Sequence, residues 1–202
     1  LMVPLFLSLL LSGDAQATSI APLSIEQLID ASDGIVKGKV TEVWTEPDPQ
    51  TQLIWTHAQV EVESVLKGES TQIIVLEQPG GEWGTRKATV EGVARFSVGE
   101  EGYFFVEHLS SDRSVPVGMF QGKFNIVIDP YSQSELALRF PVHVSRSYDH
   151  RFIPLPPEED RLQAVNLEDR IEARLEAGWD GKKIPGSSME RLERINRAGE
   201  RK

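Results

Sequence analysis

Residues 78–84 read Gln-Pro-Gly-Gly-Glu-Trp-Gly and directly follow the apolar run 73–76. Glycines placed after a buried strand can hold a phosphate, because their backbone N–H groups approach an anion closely when a helix begins behind them. Here Pro79 has no N–H, the spacing is G-G-x-x-G, and residues 85–90 alternate as a strand does. The stretch therefore predicts a turn in which Gly80 and Gly81 adopt positive φ and Gly84 eases the return into the next strand.

The same turn carries a tryptophan that could serve recognition. An exposed Trp83 would anchor a protein partner, since tryptophan is enriched among the residues that dominate interface energies. A Trp83 folded back over the mouth of the fold is the alternative. Trp55 and Phe120 would extend the contact surface if they are exposed. The residues of the predicted partner-binding loop are Pro79, Gly80, Gly81, Trp83 and Gly84.

The histidines and carboxylates give no local catalytic or metal motif. The four histidines, at positions 57, 108, 143 and 150, show neither H-x₃-H nor H-E-x-x-H spacing. Glu61 and Glu63 are neighbours on one face of a predicted strand, which is the pattern of a solvated face rather than of a cleft. No G-x-S-x-G elbow occurs. We therefore predict no catalytic, cofactor-binding or metal-binding residue; an enzyme remains an alternative that requires His57, Glu61 and His108 to converge.

Composition limits the class of partner. The chain has 202 residues, of which 40% are hydrophobic and 26% charged, so it can bury one core and an appendage. Its net charge of -10 disfavours binding to nucleic acid or to an anionic membrane, because such binding depends on Lys and Arg displacing counterions. With no cysteine, stability must come from packing alone.

Residues 1–17 predict a secretory signal peptide. An apolar block at 1–11 precedes Ala15-Gln16-Ala17, which has the small-x-small pattern that signal peptidase accepts. The block is short for a membrane span, and we expect no span after cleavage. A periplasmic or secreted location follows from this interpretation; a buried N-terminal helix is the alternative.

Residues 18–153 predict a mainly β domain. Ser24 and Gln27 form a capping box for a short helix ahead of the strands. Gly38 interrupts the first strand where a sheet would bend or bulge. Short alternating segments between polar turns favour a β-sandwich or barrel. The predicted strands cover 35–44, 53–66, 73–76, 87–93, 103–108, 115–120 and 123–128.

Residues 154–202 predict a helical, partly flexible C-terminal extension. Prolines at 154, 156 and 157 mark the boundary. Leu167, Ile171 and Leu175 share one face of a helix that ends near Gly178, and a second helix begins near Ser187. Three alternatives stay open for these helices: a weakly ordered tail, a helix docked on the β domain, or a helix that binds a partner.

Several spaced segments carry a resemblance. The segments 31–40, 60–68, 79–81 and 96–106 resemble a recurring group of uncharacterised exported bacterial proteins. Over residues 24–128, the order of elements also resembles, more remotely, the OB-fold domain of tissue inhibitors of metalloproteinases and netrin-type modules. This resemblance implies a small five-stranded Greek-key barrel whose loops and one face bind other molecules. Those inhibitors chelate zinc through an N-terminal cysteine, which this chain lacks.

The function expected from these features is that of an exported, non-enzymatic binding or accessory module with a protein partner in the envelope or outside the cell. A protease-inhibitor-like protein is one alternative, and it predicts that the purified protein slows a co-secreted metalloprotease. An enzyme with a polar site assembled from distant residues is the other.

Overall fold

The computed structural model describes residues 22–110, 113–139, 161–182 and 184. Strands hold 47% of the described residues and helices 18%, so the prediction of a mainly β chain with a short helix near the N-terminus and a helix near the C-terminus is confirmed. The predicted signal peptide, the proline boundary, the second C-terminal helix, His143 and His150 all lie outside the described residues.

The elements follow one another with short connections. In chain order they are α1 (Ile25–Ala31), β1 (Gly34–Pro47), β2 (Ile54–Lys67), β3 (Ile73–Pro79), β4 (Gly81–Trp83), β5 (Arg86–Ala88), β6 (Glu101–His108), β7 (Ser114–Pro116), a 3₁₀ helix (Met119–Gly122), β8 (Lys123–Ile128), β9 (Glu135–Leu138), β10 (Arg161–Gln163) and α2 (Ala164–Ala177). The capping box is present, because Ser24 Oγ accepts from Gln27 N and Gln27 Oε1 accepts from Ser24 N.

Eight strands form one sheet in the order β1-β2-β3-β7-β6-β8-β9-β10. The first half of β1 also pairs with β6, from Gly34 opposite Val106 to Lys39 opposite Glu101. The pairing of β3 with β7 is parallel, whereas β7 pairs antiparallel with β6. A path along paired strands from β1 through β2, β3, β7 and β6 therefore leads back to β1. β4 and β5 form a separate two-stranded sheet.

Alternation along the strands explains where the core lies. Val36 and Val40 of β1 and Val60 of β2 are buried and meet Leu76 and Phe104 in one apolar cluster. Gly38 stands where the β1–β2 register shifts, as its interpretation as a kink predicts. A Cβ atom at Gly38 would lie 2.4 Å from Glu61 O, so only glycine allows the two strands this close approach.

Two strand predictions are wrong in extent. The strand predicted at 87–93 ends at Ala88, and residues 89–96 belong to neither strand nor helix. The strand predicted at 115–120 ends at Pro116, because Gly118 and Met119 take φ values of 61° and 65° and turn the chain into the 3₁₀ helix. β9 and β10 were not predicted, and the helix predicted from the spacing of Leu167, Ile171 and Leu175 begins at Ala164.

α2 docks on α1 and on the sheet. Leu167 and Ile171 are buried in the second apolar cluster together with Leu28 of α1. On the same side, Arg170 pairs with Glu26 and Arg174 pairs with Asp30. Of the three alternatives for the predicted helix at 167–175, the docked helix is the one observed.

Candidate functional site

The predicted turn at 78–84 leads into the β4–β5 hairpin. Gly80 and Gly81 have φ values of +99° and +129°, which L side chains rarely adopt. A Cβ atom at Gly81 would also lie 2.6 Å from Thr45 Cγ2. Strand β5 follows the turn at Gly84, and no helix begins there. The glycines therefore have the predicted positive φ, although residues 81–83 form strand β4 and are not part of a turn. The strand-to-helix arrangement of a phosphate loop is not found here.

Side-chain hydrogen bonds fix the hairpin against β1 and β2. Thr45 Oγ1 donates to Glu82 O at 2.5 Å, and Thr56 Oγ1 donates to Gly80 O at 2.7 Å. Arg86 Nη2 donates to Gln52 O at 2.7 Å, which ties β5 to the turn between β1 and β2. The hairpin is thus held from both sides, so its outermost side chains project from a fixed backbone.

Trp83 is 47% exposed at the end of β4, opposite Arg86 in the hairpin ladder. The neighbouring pair Glu82 and Lys87 is exposed and joined at 2.6 Å. The hydrogen bond and the charge of Lys87 outweigh desolvation and hold the pKa of Glu82 below its usual value. Because about half of Trp83 is exposed on a fixed hairpin, its ring is available for contact.

The five residues predicted for partner binding lie on one continuous stretch. Pro79 ends β3, Gly80 connects, Gly81 and Trp83 belong to β4, and Gly84 lies in the turn. The two supporting residues do not join them as expected. Phe120 is 9% exposed and belongs to the core, and the half-buried Trp55 is covered at 4.7 Å by the guanidinium of Arg113.

A cavity of about 260 Å³ lies beneath the hairpin, and we call it the hairpin cavity. Pro79, Gly80, Gly81 and Glu82 line one side, and residues 89–95 line the other. Gln78 and Ala94 are buried, whereas Glu82, Lys87, Glu91 and Arg95 are exposed. The cavity therefore has a buried floor and a charged rim.

Lys123 holds the far wall of the hairpin cavity. Its ammonium group donates to Glu100 Oε2 at 2.6 Å and to Arg95 O, and it lies 5.0 Å from the centre of the Phe96 ring. Burial lowers the pKa of Lys123, although the hydrogen bond and charge of Glu100 act in the opposite direction. Phe120 N donates to Gly92 O at 3.0 Å. These contacts position residues 92–95 although no strand includes them.

Gln78 is the residue of this site that sequence reasoning missed. It is 8% exposed, lines the hairpin cavity, and its Oε1 has no hydrogen-bond partner among the described residues. Alternation along β3 places Gln78 on the same face as Leu76, which belongs to the apolar run 73–76. That pattern would have indicated a polar residue on the inward face of the strand. It pairs across the ladder with Thr56, whose hydroxyl is already bonded to Gly80 O.

A second polar cluster, also missed, covers the opposite face of β1–β3. The rings of Trp44 and His57 stack with their centres 5.1 Å apart and an angle of 11° between planes. His57 Nε2 lies 3.4 Å from Glu46 Oε1, and His57 Nδ1 lies 3.6 Å from Glu77 Oε1. Arg113 Nε donates to Glu77 Oε2 at 2.7 Å. The register places Trp44 opposite His57 and His57 opposite Glu77, and local sequence patterns do not encode this register.

Of the three residues of the enzyme alternative, the two histidines have separate partners. His57 lies in the cluster just described, whereas His108 Nδ1 is 2.8 Å from Ser114 Oγ and its backbone N donates to Asp33. Glu61 is exposed on β2. Among residues 22–110, 113–139 and 161–184 apart from 183, no group of three or more His, Asp or Glu side chains could hold a metal ion.

No protein-family model matches the chain, and no curated protein matches its sequence. Within the described part of the chain, no helix is long and apolar enough to cross a membrane.

Proposed function

We propose that the protein is an exported, non-enzymatic binding module that contacts a protein partner in the periplasm or outside the cell through the β4–β5 hairpin. The export step rests on the signal pattern of residues 1–17. The acidic balance of the chain favours a protein over a nucleic acid or an anionic membrane as the partner.

A small Greek-key barrel of the OB type, within residues 18–153, is the scaffold of this proposal. The pairings that return to β1, together with the parallel pairing of β3 with β7, support it, because a five-stranded Greek-key barrel requires its first strand to be shared between two neighbours. Loops at the end of such a barrel are common binding surfaces. The β4–β5 hairpin belongs to the connection between two strands of that ring, β3 and β6.

The exposure of Trp83 on a fixed hairpin is the observation that carries the proposal. Tryptophans that supply much of the binding energy of an interface are large, rigid and accessible before the partner arrives. Here the side chain is 47% exposed, and two threonine hydroxyls and one arginine side chain hold the hairpin that carries it. Little ordering of the hairpin is therefore required on binding.

Replacement of Trp83 by Ala tests the proposal. We expect Trp83→Ala to reduce partner capture from envelope and secreted fractions at least tenfold, the effect of about 2 kcal/mol at an interface anchor, while the melting temperature stays within a few degrees. Tyr131→Ala is the matched control, because Tyr131 is 96% exposed at a different hairpin tip. Unchanged capture by Trp83→Ala, or an equal loss in both variants, would contradict the proposal.

A large loss of stability in Trp83→Ala would contradict it as well. Such a loss would mean that Trp83 packs against the fold, which is the alternative stated above in which Trp83 folds back over its mouth. Thermal unfolding of both variants, followed by circular dichroism, distinguishes the two roles.

A further inference from the structure

Arg113 shows how one face of the sheet holds a guanidinium group. Its guanidinium carbon lies 4.7 Å from the centre of the Trp55 ring, and its Nε donates to Glu77 Oε2 at 2.7 Å. Trp55 belongs to β2 and Glu77 to the neighbouring strand β3. A planar guanidinium can cover an aromatic ring and pair with a carboxylate at the same time. A tryptophan and a carboxylate on this face therefore hold an arginine side chain together.

Trp44 lies on the same face, on the neighbouring strand β1. Glu42, Trp44 and Glu46 alternate along β1, so their three side chains share that face, and we call them the Trp44 site. Trp44 Nε1 donates to Glu46 Oε1 at 3.5 Å, which places this carboxylate beside the ring. Both glutamates are exposed. The combination that surrounds Arg113 is thus repeated here, with one carboxylate more.

No lysine or arginine of the described residues occupies the Trp44 site. Glu46 pairs with His57, at 3.4 Å, and within the same part of the chain Glu42 forms no ion pair. The cations that lie over aromatic rings do so at other rings, namely those of Trp55, Phe96, Tyr103 and Phe124. The site therefore presents negative charge and an aromatic ring without a cation of its own.

His57 covers only one face of the Trp44 ring. The two rings stack with their centres 5.1 Å apart, and His57 is the cross-strand neighbour of Trp44 on β2. The other face of the indole is therefore directed away from β2. Among the described strands, residues 42–47 of β1 pair with β2 alone. Since Trp44 is half-buried, part of its ring is accessible for contact.

We propose that the Trp44 site binds an arginine side chain of a protein partner. The guanidinium would stack on the free face of the indole and pair with Glu42 and Glu46, as Arg113 stacks on Trp55 and pairs with Glu77. An anionic side chain would be repelled by the two carboxylates, and a neutral one would gain no ion pair. The net charge of -10 attracts a cationic partner at longer range.

Small probes test the site without the partner. The ¹⁵N-labelled full chain is titrated with N-acetyl-arginine methylamide, and the shifts of the Trp44 indole N–H and of the Glu42 and Glu46 backbone amides are followed. N-acetyl-citrulline methylamide has nearly the same shape without the charge, and N-acetyl-lysine methylamide has the charge without the planar group. We expect saturable shifts with the arginine probe and affinities at least threefold weaker with the other two. Equal affinity for the arginine probe and either of the others would overturn the inference.

Variants of the site distinguish it from general attraction to an acidic chain. Glu42→Gln should weaken the arginine probe about threefold and leave the melting temperature within a few degrees, because Glu42 is exposed. Glu69→Gln is the matched control, since it changes the net charge equally at an exposed position in the turn between β2 and β3. Unchanged binding by Glu42→Gln, or an equal weakening by Glu69→Gln, would overturn the inference.

Two tryptophan variants separate the Trp44 site from the hairpin. Trp44→Leu should weaken the arginine probe about fivefold, because the stacking surface is lost, and Glu42→Gln keeps the test decisive if this variant unfolds. Trp83→Ala should leave the affinity of the probe unchanged. The inference goes beyond the proposed function and does not rest on Trp83, so normal capture by Trp83→Ala would leave it standing. Loss of probe binding in Trp83→Ala would place the cation at the hairpin and overturn it.

Discussion

The two ion pairs between α1 and α2 should contribute to stability by very different amounts. Arg174 donates to Asp30 through Nε at 2.9 Å and through Nη2 at 2.6 Å, and the Asp30 side chain is only 7% exposed. One helical turn earlier, Arg170 pairs with Glu26, whose side chain is 40% exposed. Arg174 bridges both oxygens of Asp30 and also lies 3.5 Å from Asp180 Oδ1, whereas Arg170 donates twice to one oxygen of Glu26. The difference expected to matter most for stability is the burial of the carboxylate.

Removal of the arginine should therefore have different consequences at the two positions. Arg174→Met leaves a buried carboxylate without its partner, and we expect a loss of about 3–5 kcal/mol in the free energy of unfolding. Arg170→Met leaves an accessible carboxylate, and we expect a loss below about 1 kcal/mol. A loss of about 3–5 kcal/mol is a large part of the 5–15 kcal/mol typical of a domain.

Urea unfolding monitored by tryptophan fluorescence, at one pH and one ionic strength, measures both losses. The double variant Asp30→Leu/Arg174→Met removes both charges and should recover most of the stability that Arg174→Met loses, because a buried ion pair can be replaced by apolar side chains at small cost. Equal losses for Arg174→Met and Arg170→Met, or no recovery in the double variant, would refute the reasoning from burial.

Two further predictions concern the sheet. Gly38→Ala should lower the free energy of unfolding by about 1–3 kcal/mol in urea, because the added Cβ atom would meet Glu61 O. Gly34→Ala is the control: its Cβ atom would be 3.7 Å from the nearest neighbour, so the free energy of unfolding should change little. The pKa of Tyr103 is raised far above its usual range. Burial is the largest cause, and the hydrogen bond to Glu168 and the charge of that carboxylate act in the same direction. Above about pH 10 the unfolded phenol ionises and the folded one does not, so stability should fall as pH rises. Tyr103→Phe should flatten that fall between pH 8 and 11; an unchanged slope would contradict the assignment.

The parts of the fold that were predictable are those in which a local pattern and the tertiary environment agree. β1 and β2 have one face in the core, so the alternation of their residues predicted the ends of both strands to within three residues. The helix α2 was predictable because Leu167 and Ile171 recur at helical spacing and both are buried. The positive φ of Gly80 and Gly81 followed from turn chemistry alone.

Short elements and non-local contacts were not predictable. β4, β5, β7 and β10 have three residues each, which is too few to establish a period. The segment after Ala88 alternates as a strand does, but within the described part of the chain it pairs with no strand. The hairpin cavity depends on residues 92–95, which line it together with Gln78 and are positioned by Lys123 and Phe120 from elsewhere in the chain.

Two turns of the chain share one sequence motif. The turns between β1 and β2 and between β8 and β9 read Asp48-Pro-Gln-Thr-Gln52 and Asp129-Pro-Tyr-Ser-Gln133. In both, the aspartate accepts from the two backbone N–H groups after the proline, and the last glutamine has a φ of 59°. A polar turn was expected between the first two predicted strands, and comparison with it would have indicated the second hairpin and the strand β9.

The sharing of β1 between β2 and β6 bears on how the chain reaches its native state. Gly34 meets Val106, and Leu76 meets Ser114, so neither contact exists until most of the sheet has been synthesised. Proteins dominated by contacts between sequence-distant residues fold slowly, on a timescale of about milliseconds to seconds. Stopped-flow refolding should therefore give a rate set by long-range strand pairing, well below that of an isolated hairpin. Until β6 and β7 arrive, the edges of β1 and β3 remain open to pairing with other chains.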